Sequence, residues 1–313
     1  MPVAHPLAEL IARRGYAVID GAMSTALEGL GCDLKDPLWT AKVLLEEPEK
    51  ICEVHRTYFE AGANIAITAS YQASGAALLK RGLSKKESGE VIRLSVILAQ
   101  KARREFLAAH PEKDPRDYLV AGSCGPYGAY LANGAEYTGD YALTDREYRN
   151  FHELRMKSLI DAGADFLAFE TQPRLDEARV LLEMAENLGV TAWTAFTLKD
   201  AERLPDGTPL KDAAAYCAAS ESIEAVGANC VAPALAAPAV RKIRAATDKP
   251  ITLYPNSGEA YDPVQKAWVK GGPPDWGALT LSWAALGAKA IGGCCRTLPE
   301  DIQKIANALQ SHS

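Results

Sequence analysis

No stretch of eighteen apolar residues occurs in this chain, so no membrane-spanning helix is expected from it. A surplus of basic charge is also missing. Against 34 Lys and Arg stand 40 Asp and Glu, a net charge of -6. A general nucleic-acid or membrane-surface role needs a basic patch and is excluded on that ground. The first residues, Met1 to Pro6, have neither the basic nor the apolar region of a signal peptide. No Gly-x-Gly-x-x-Gly follows the first apolar run, which removes the usual support for a dinucleotide-binding sheet. The seven cysteines are an odd number without the close spacing of a disulfide framework. They point to a reducing, cytoplasmic setting in which clustered thiols serve a metal or a reaction. No linker or low-complexity segment interrupts the pattern, so residues 1–313 read as one domain.

What is present is a repeating unit: a helical pattern, a Gly-Ala pair, then a short apolar run. It occurs at Gly62-Ala63 before Ile65 to Thr68 and at Gly163-Ala164 before Phe166 to Phe169. It recurs at Gly227-Ala228 before Cys230 and at Gly287-Ala288 before Ile291. Glycine just beyond a helix supplies the left-handed closing conformation, and an apolar run after it suits a strand buried on both faces. Four further runs, Tyr16–Ile19, Tyr118–Ala121, Thr191–Phe196 and Pro250–Tyr254, fill the gaps. Helical patterns separate them, among them 85–109, 144–162, 175–188, 211–226, 237–246 and 275–286. Eight strands alternating with eight helices predict an α/β fold of the (β/α)8 TIM-barrel type, with an open doubly wound sheet as the alternative. The longest irregular stretch, 122–140, follows the third strand, and a loop of that length in a compact domain is usually functional.

A barrel enzyme carries its chemistry at the C-terminal ends of its strands. Those ends read Asp20, Thr68 to Gln72, Ser123, Glu170-Thr171, Cys230, Asn256 and Cys294-Cys295. Three thiols converging there suggest a zinc site with an open fourth position, since a structural site would be closed by four ligands. None of the five histidines falls at a strand end, while Cys124, next to Ser123, stays a possible further donor. A coordinating thiol is deprotonated outright, whereas a free one with a pKa of about 8.5 is only a few per cent thiolate at pH 7. Full ionisation therefore raises the thiolate about thirtyfold, worth ~2 kcal/mol. That chemistry predicts alkylation of a sulfur rather than hydrolysis.

Eight ordered stretches carry a resemblance. They are Asp20 to Thr25, Asp36 to Trp39, Thr68 to Ser74, Ala121 to Gly128, Phe169 to Thr171, Gly227 to Cys230, Tyr254 to Glu259 and Gly292 to Thr297. The chain closely resembles the homocysteine S-methyltransferases, above all the branch that uses S-methylmethionine. The resemblance implies Zn2+ on Cys230, Cys294 and Cys295, and Asp20 and Glu170 on the amino group of L-homocysteine. Two carboxylates suit one ammonium, although a general acid/base pair is the other reading of the same two residues. Met23, Thr68, Gln72, Ser123 and Asn256 are expected to complete the substrate site. Related betaine-using enzymes carry Tyr where this chain has Gln72, which speaks for a sulfonium donor, S-methylmethionine or S-adenosylmethionine. Trp39, Tyr127, Tyr130 and Trp268 are candidate aromatic faces for that cation. The expected reaction is methyl transfer to homocysteine, giving methionine. A redox or metal sensor using Cys294-Cys295, and a thiol-amino-acid binding protein without turnover, are the alternatives from other classes.

Overall fold

The computed structural model describes residues 4–34, 40–262, 267–269 and 274–312. Its centre is a ring of parallel strands: β1 (Ala17–Val18), β2 (Ile65–Ile67), β3 (Leu119–Cys124), β4 (Phe166–Gln172), β5 (Ala192–Phe196), β6 (Ile223–Asn229) and β7 (Ile251–Tyr254). After a small antiparallel hairpin, β8 (Ala260–Asp262) and β9 (Ala267–Val269), the ring is completed by β10 (Ala288–Ile291). Strand order runs β1-β10-β7-β6-β5-β4-β3-β2. A parallel bridge between Ile19 and Ile65, with the Asn64 N–H donating to the Val18 carbonyl at 2.8 Å, closes it. Closure decides for the barrel over the open sheet, because an open sheet would leave β1 and β2 as unpaired edges.

Local sequence accounts for the surrounding helices. Ser84 with Glu87 and Thr144 with Glu147 form reciprocal capping boxes at the starts of Lys85–Ala109 and Asp145–Asp161. Pro6, Pro48 and Pro233 open their helices, where a missing N–H costs nothing. Two apolar layers result. One lies between ring and helices. The other fills the lumen, where Trp193 packs edge-on to Phe166 at 5.2 Å. Alanines at 17, 121, 168, 195, 225 and 290 share that lumen. A large indole fits in the middle because its neighbours on facing strands are small, which keeps the interior at close-packed density. Leu7 and Leu10 of the first helix, Pro6–Arg14, close the underside.

Two expectations are corrected. The helical reading of 211–226 fails: the helix is Leu210–Ala218, and β6 begins at Ile223. Gly227-Ala228 is therefore strand, not a helix end. Short alanine-rich runs carry no decisive periodicity, and burial of all of β6 settles the matter. Gly227 is needed for close approach, since a Cβ there would lie 1.7 Å from the Thr252 carbonyl oxygen on β7. The irregular stretch at 122–140 is also more ordered than expected. β3 runs on to Cys124, and short helices follow at Tyr127–Leu131 and Ala135–Thr138.

Gly227→Ala should force β6 and β7 apart and cost about 2 kcal/mol or more in a urea unfolding titration. Gly29→Ala, at a helical position with nothing within 4 Å of the added Cβ, should be neutral or stabilising by up to about 1 kcal/mol. Equal midpoints for the two variants would contradict this account of the β6–β7 contact.

Candidate metal and substrate site

Counting by two along a strand leads from the lumen to its mouth. On β3 the lumen face runs Leu119, Ala121, then Ser123; on β4 it runs Phe166, Ala168, then Glu170. Ser123 Oγ donates to Glu170 Oε1, and the Tyr254 hydroxyl also hydrogen-bonds to that carboxylate. Tyr254 is itself held from below by the Trp193 indole N–H, 3.1 Å from its oxygen. Asp20 follows β1 and accepts the Ile67 N–H at 2.9 Å. Thr68 Oγ1 takes the Ser123 N–H at 2.9 Å and pairs with Ser70 Oγ at 2.7 Å, fixing the wall between the two acids.

Both carboxylates are buried. Burial pushes Glu170 up to about 7, against the Ser123 and Tyr254 hydroxyls that favour its charged form. Burial also holds Asp20 well above the ordinary carboxylate range. The Ile67 N–H opposes that shift, and the charge of Glu170 adds to it. Desolvation of this kind is relieved by a cation placed between the groups.

The sulfurs of Cys230, Cys294 and Cys295 lie within 4.8 Å of one another. Cys230 and Cys295 are 3.6 Å apart, while Cys230 and Cys294 are joined as a disulfide across Cα atoms 5.5 Å apart. Once reduced, this is a cluster of three donors able to hold a metal ion. Cys124 does not belong to it: that thiol is fully buried and pushed up to about 11, first by desolvation. Asn229 joins the two halves of the site. Its Oδ1 accepts the Thr171 N–H at 2.6 Å and its Nδ2 donates to Thr171 Oγ1 at 2.8 Å. Thr171, Cys230 and Arg296 are three of the four described non-glycine residues with positive φ, at 54°, 51° and 65°. Left-handed backbone costs of order 1 kcal/mol per residue and collects where geometry is held for function. Gly292 lets the thiol loop leave β10 against β1, as a Cβ there would fall 2.4 Å from the Ile19 carbonyl oxygen.

A cavity of about 150 Å³ lies over these groups. Asp20, Met23, Thr68, Gln72, Glu170 and the three cysteines all line it. Ser123 is not among the lining residues and acts on the cavity through Glu170 and Thr68. Asn256 is outside the lining; its Oδ1 accepts the Cys295 N–H at 3.1 Å and so holds the thiol loop. Tyr127 and Tyr130 are not among the lining residues either. They pack together at 5.5 Å and against Phe151, 5.0 and 5.7 Å away. Trp39 lies outside the described residues, as does the side chain of Trp268. Sequence reasoning passed over Tyr71, Glu136, Tyr137, Asn229 and Tyr254, which also line the cavity. Tyr137 exposes 45% of its surface, yet its hydroxyl hydrogen-bonds to the Cys295 thiol. The signals were an acid-aromatic pair inside the long loop, an Asn beside a thiol, and Tyr254 at the end of a strand. Among the described residues no helix is long and apolar enough to cross a membrane.

Comparison with known proteins agrees with this geometry. Residues 17–309 match the family model described as Homocysteine S-methyltransferase. The homocysteine S-methyltransferase of Escherichia coli is 47% identical over 95% of this chain and 96% of its own length. That of Bacillus subtilis, YbgG, is 45% identical over 96% and 97%. The metallated form of the homocysteine methyltransferase MmuM from Escherichia coli superposes with a TM-score of 0.89 at 44% identity. That match covers 97% of this chain and 99% of the other. A site of three sulfur donors beside two buried carboxylates, on a barrel matched across almost all its length, leads to one conclusion: this chain belongs to the homocysteine S-methyltransferase family.

Proposed function

We propose that this chain transfers a methyl group from a sulfonium donor, S-methylmethionine or S-adenosylmethionine, to L-homocysteine, forming methionine. The observation that carries the reading is one cavity lined both by three converging sulfurs and by two desolvated carboxylates. Cys230, Cys294 and Cys295, reduced, are the residues that would hold Zn2+. The fit is chemical and metric. All three donors are soft sulfurs, and tetrahedral Zn–S bonds of about 2.3 Å set sulfurs about 3.8 Å apart. The 3.6 Å between Cys230 and Cys295 is close to that edge. Bound there, zinc supplies the ionisation of an incoming thiol at neutral pH.

The chain's own residues do the rest. Asp20 and Glu170 receive the ammonium of homocysteine by charge-assisted hydrogen bonds, which aims its side chain toward the thiol cluster. Ser123 and Tyr254 fix the Glu170 carboxylate for that contact. Met23, Thr68 and Gln72 form the walls that keep water from the acceptor sulfur. As the new C–S bond forms, the C–S bond of the donor breaks and its sulfur leaves as a neutral thioether. No residue is needed to protonate the leaving group, so the two buried acids serve binding rather than proton transfer.

Protein purified under reducing conditions should contain one zinc per chain by elemental analysis. Cys230→Ser should lose both the metal and methionine formation while keeping its circular dichroism. A metal-free variant with full activity would refute the metal assignment.

Glu170 bears a proton below about pH 7 in the free protein and must lose it to hold an ammonium. Homocysteine affinity should therefore weaken about tenfold per unit as pH falls from 7 to 5.5. In Glu170→Gln this contribution to the slope should vanish, with affinity at pH 8 reduced about tenfold or more. Isothermal titration across pH checks it; identical slopes in the two proteins would remove Glu170 from the ammonium site.

A further inference from the structure

The cavity has more negative charge than one amino acid requires. Three carboxylates line it, Asp20, Glu170 and Glu136, and none of its described lining residues is Lys, Arg or His. Asp20 and Glu170 are each tied to the barrel by donors, as described above. Glu136 is tied only to its own backbone N–H, and its Oε2 is buried with no hydrogen-bond partner. A carboxylate oxygen withdrawn from water without a donor carries an uncompensated desolvation cost. Burial accordingly holds Glu136 above the usual carboxylate range.

Its placement is specific. Glu136 belongs to the short helix Ala135–Thr138, set between Gly134 and Gly139, both in the left-handed region at φ 87° and 68°. The Gly139 carbonyl is held by Arg174 at 3.1 Å. The next residue, Tyr137, reaches the Cys295 thiol. Tyr71 and Tyr137 are both close enough to Glu136 to feel its charge. The unpartnered Oε2 thus stands beside the thiol cluster with phenol side chains around it.

We infer that Glu136 takes up the positive charge of the methyl donor, making it a donor-binding residue distinct from the pair that holds the acceptor's ammonium. The inference rests on the methyl-transfer reading above. A sulfonium is a cation without N–H or O–H donors. It needs a negative, dry, partly aromatic surround, and a carboxylate with one buried, unpartnered oxygen supplies one. Placing this charge next to the thiol loop brings the donor methyl near the acceptor sulfur. When the sulfonium becomes a neutral thioether, the attraction lapses and the product is freed.

The test uses the reduced, zinc-loaded protein as Glu136→Gln and Glu136→Asp, with both substrates varied in steady state. Glu136→Gln should raise the KM for S-methylmethionine about tenfold or more and leave the KM for homocysteine within about twofold, as expected for a lost interaction with one substrate only. Glu136→Asp, which keeps the charge, should fall between. An unchanged donor KM, or equal rises in both KM values, would overturn the assignment. Calorimetric titration of S-methylmethionine, with excess L-homoserine filling the acceptor's amino-acid pocket, separates the two levels of the argument. If the wild type binds the sulfonium tightly but makes no methionine, methyl transfer fails, and the affinity of Glu136→Gln decides the subsite. If the wild type binds neither S-methylmethionine nor, in a parallel titration, S-adenosylmethionine, both fall.

Discussion

Asn229 and Thr171 exchange two hydrogen bonds across the barrel mouth, and both chemical halves of the site depend on that exchange. Thr171 follows Glu170, and Asn229 precedes Cys230. One amide side chain therefore sets the distance between the Glu170 carboxylate and the Cys230 sulfur. It also compensates for the left-handed backbone at Thr171 and Cys230. Such conformations persist only where surrounding bonds over-determine them. The β4–β5 register shifts between Phe169 and Gln172, so the strand that carries Glu170 is irregular at this point. Pairing with Asn229 replaces the lost ladder bonds with side-chain ones.

Electrostatics sets the character of the cavity. Its acids are buried without basic partners, a costly arrangement for an empty pocket. The cost becomes affinity when cations enter. In the proposed reaction, the ammonium of an amino acid and the positive centre of a sulfonium donor would supply the charge that the protein leaves out. This explains why Glu170 is braced by Ser123 and Tyr254 yet still titrates near neutrality: the brace orients the carboxylate without neutralising it.

The barrel itself was legible from its alternation of apolar runs and helices, and so were the positions of Asp20, Glu170 and the three thiols at strand ends. These features are local: a buried parallel strand is a short apolar run, and the residue after it lies at the mouth. Reading failed at β6, where Ile223 to Ala228 has the composition of a helix end and only contact with β5 and β7 makes it a strand. Two of the aromatic candidates also lie elsewhere than their place in the chain suggested. Tyr127 and Tyr130 follow β3 in the chain, but they pack on Phe151 of a neighbouring helix, away from the cavity lining. Among the described residues, the rings at the cavity are Tyr71, Tyr137 and Tyr254.

The sequence by itself determined the barrel, the acids and the thiols, because strand period and strand ends are written in consecutive residues. The tertiary structure alone decided which of those groups meet. It placed Asn256 behind Cys295 rather than in the cavity and left one oxygen of Glu136 without a partner beside the thiols. It also used Asn229 to lock Thr171 on the next-but-one strand. Those facts depend on the stagger of strands around a closed ring and on the path of the loop after β3. Neither leaves a periodic trace in the chain, since both arise from contacts between residues tens of positions apart.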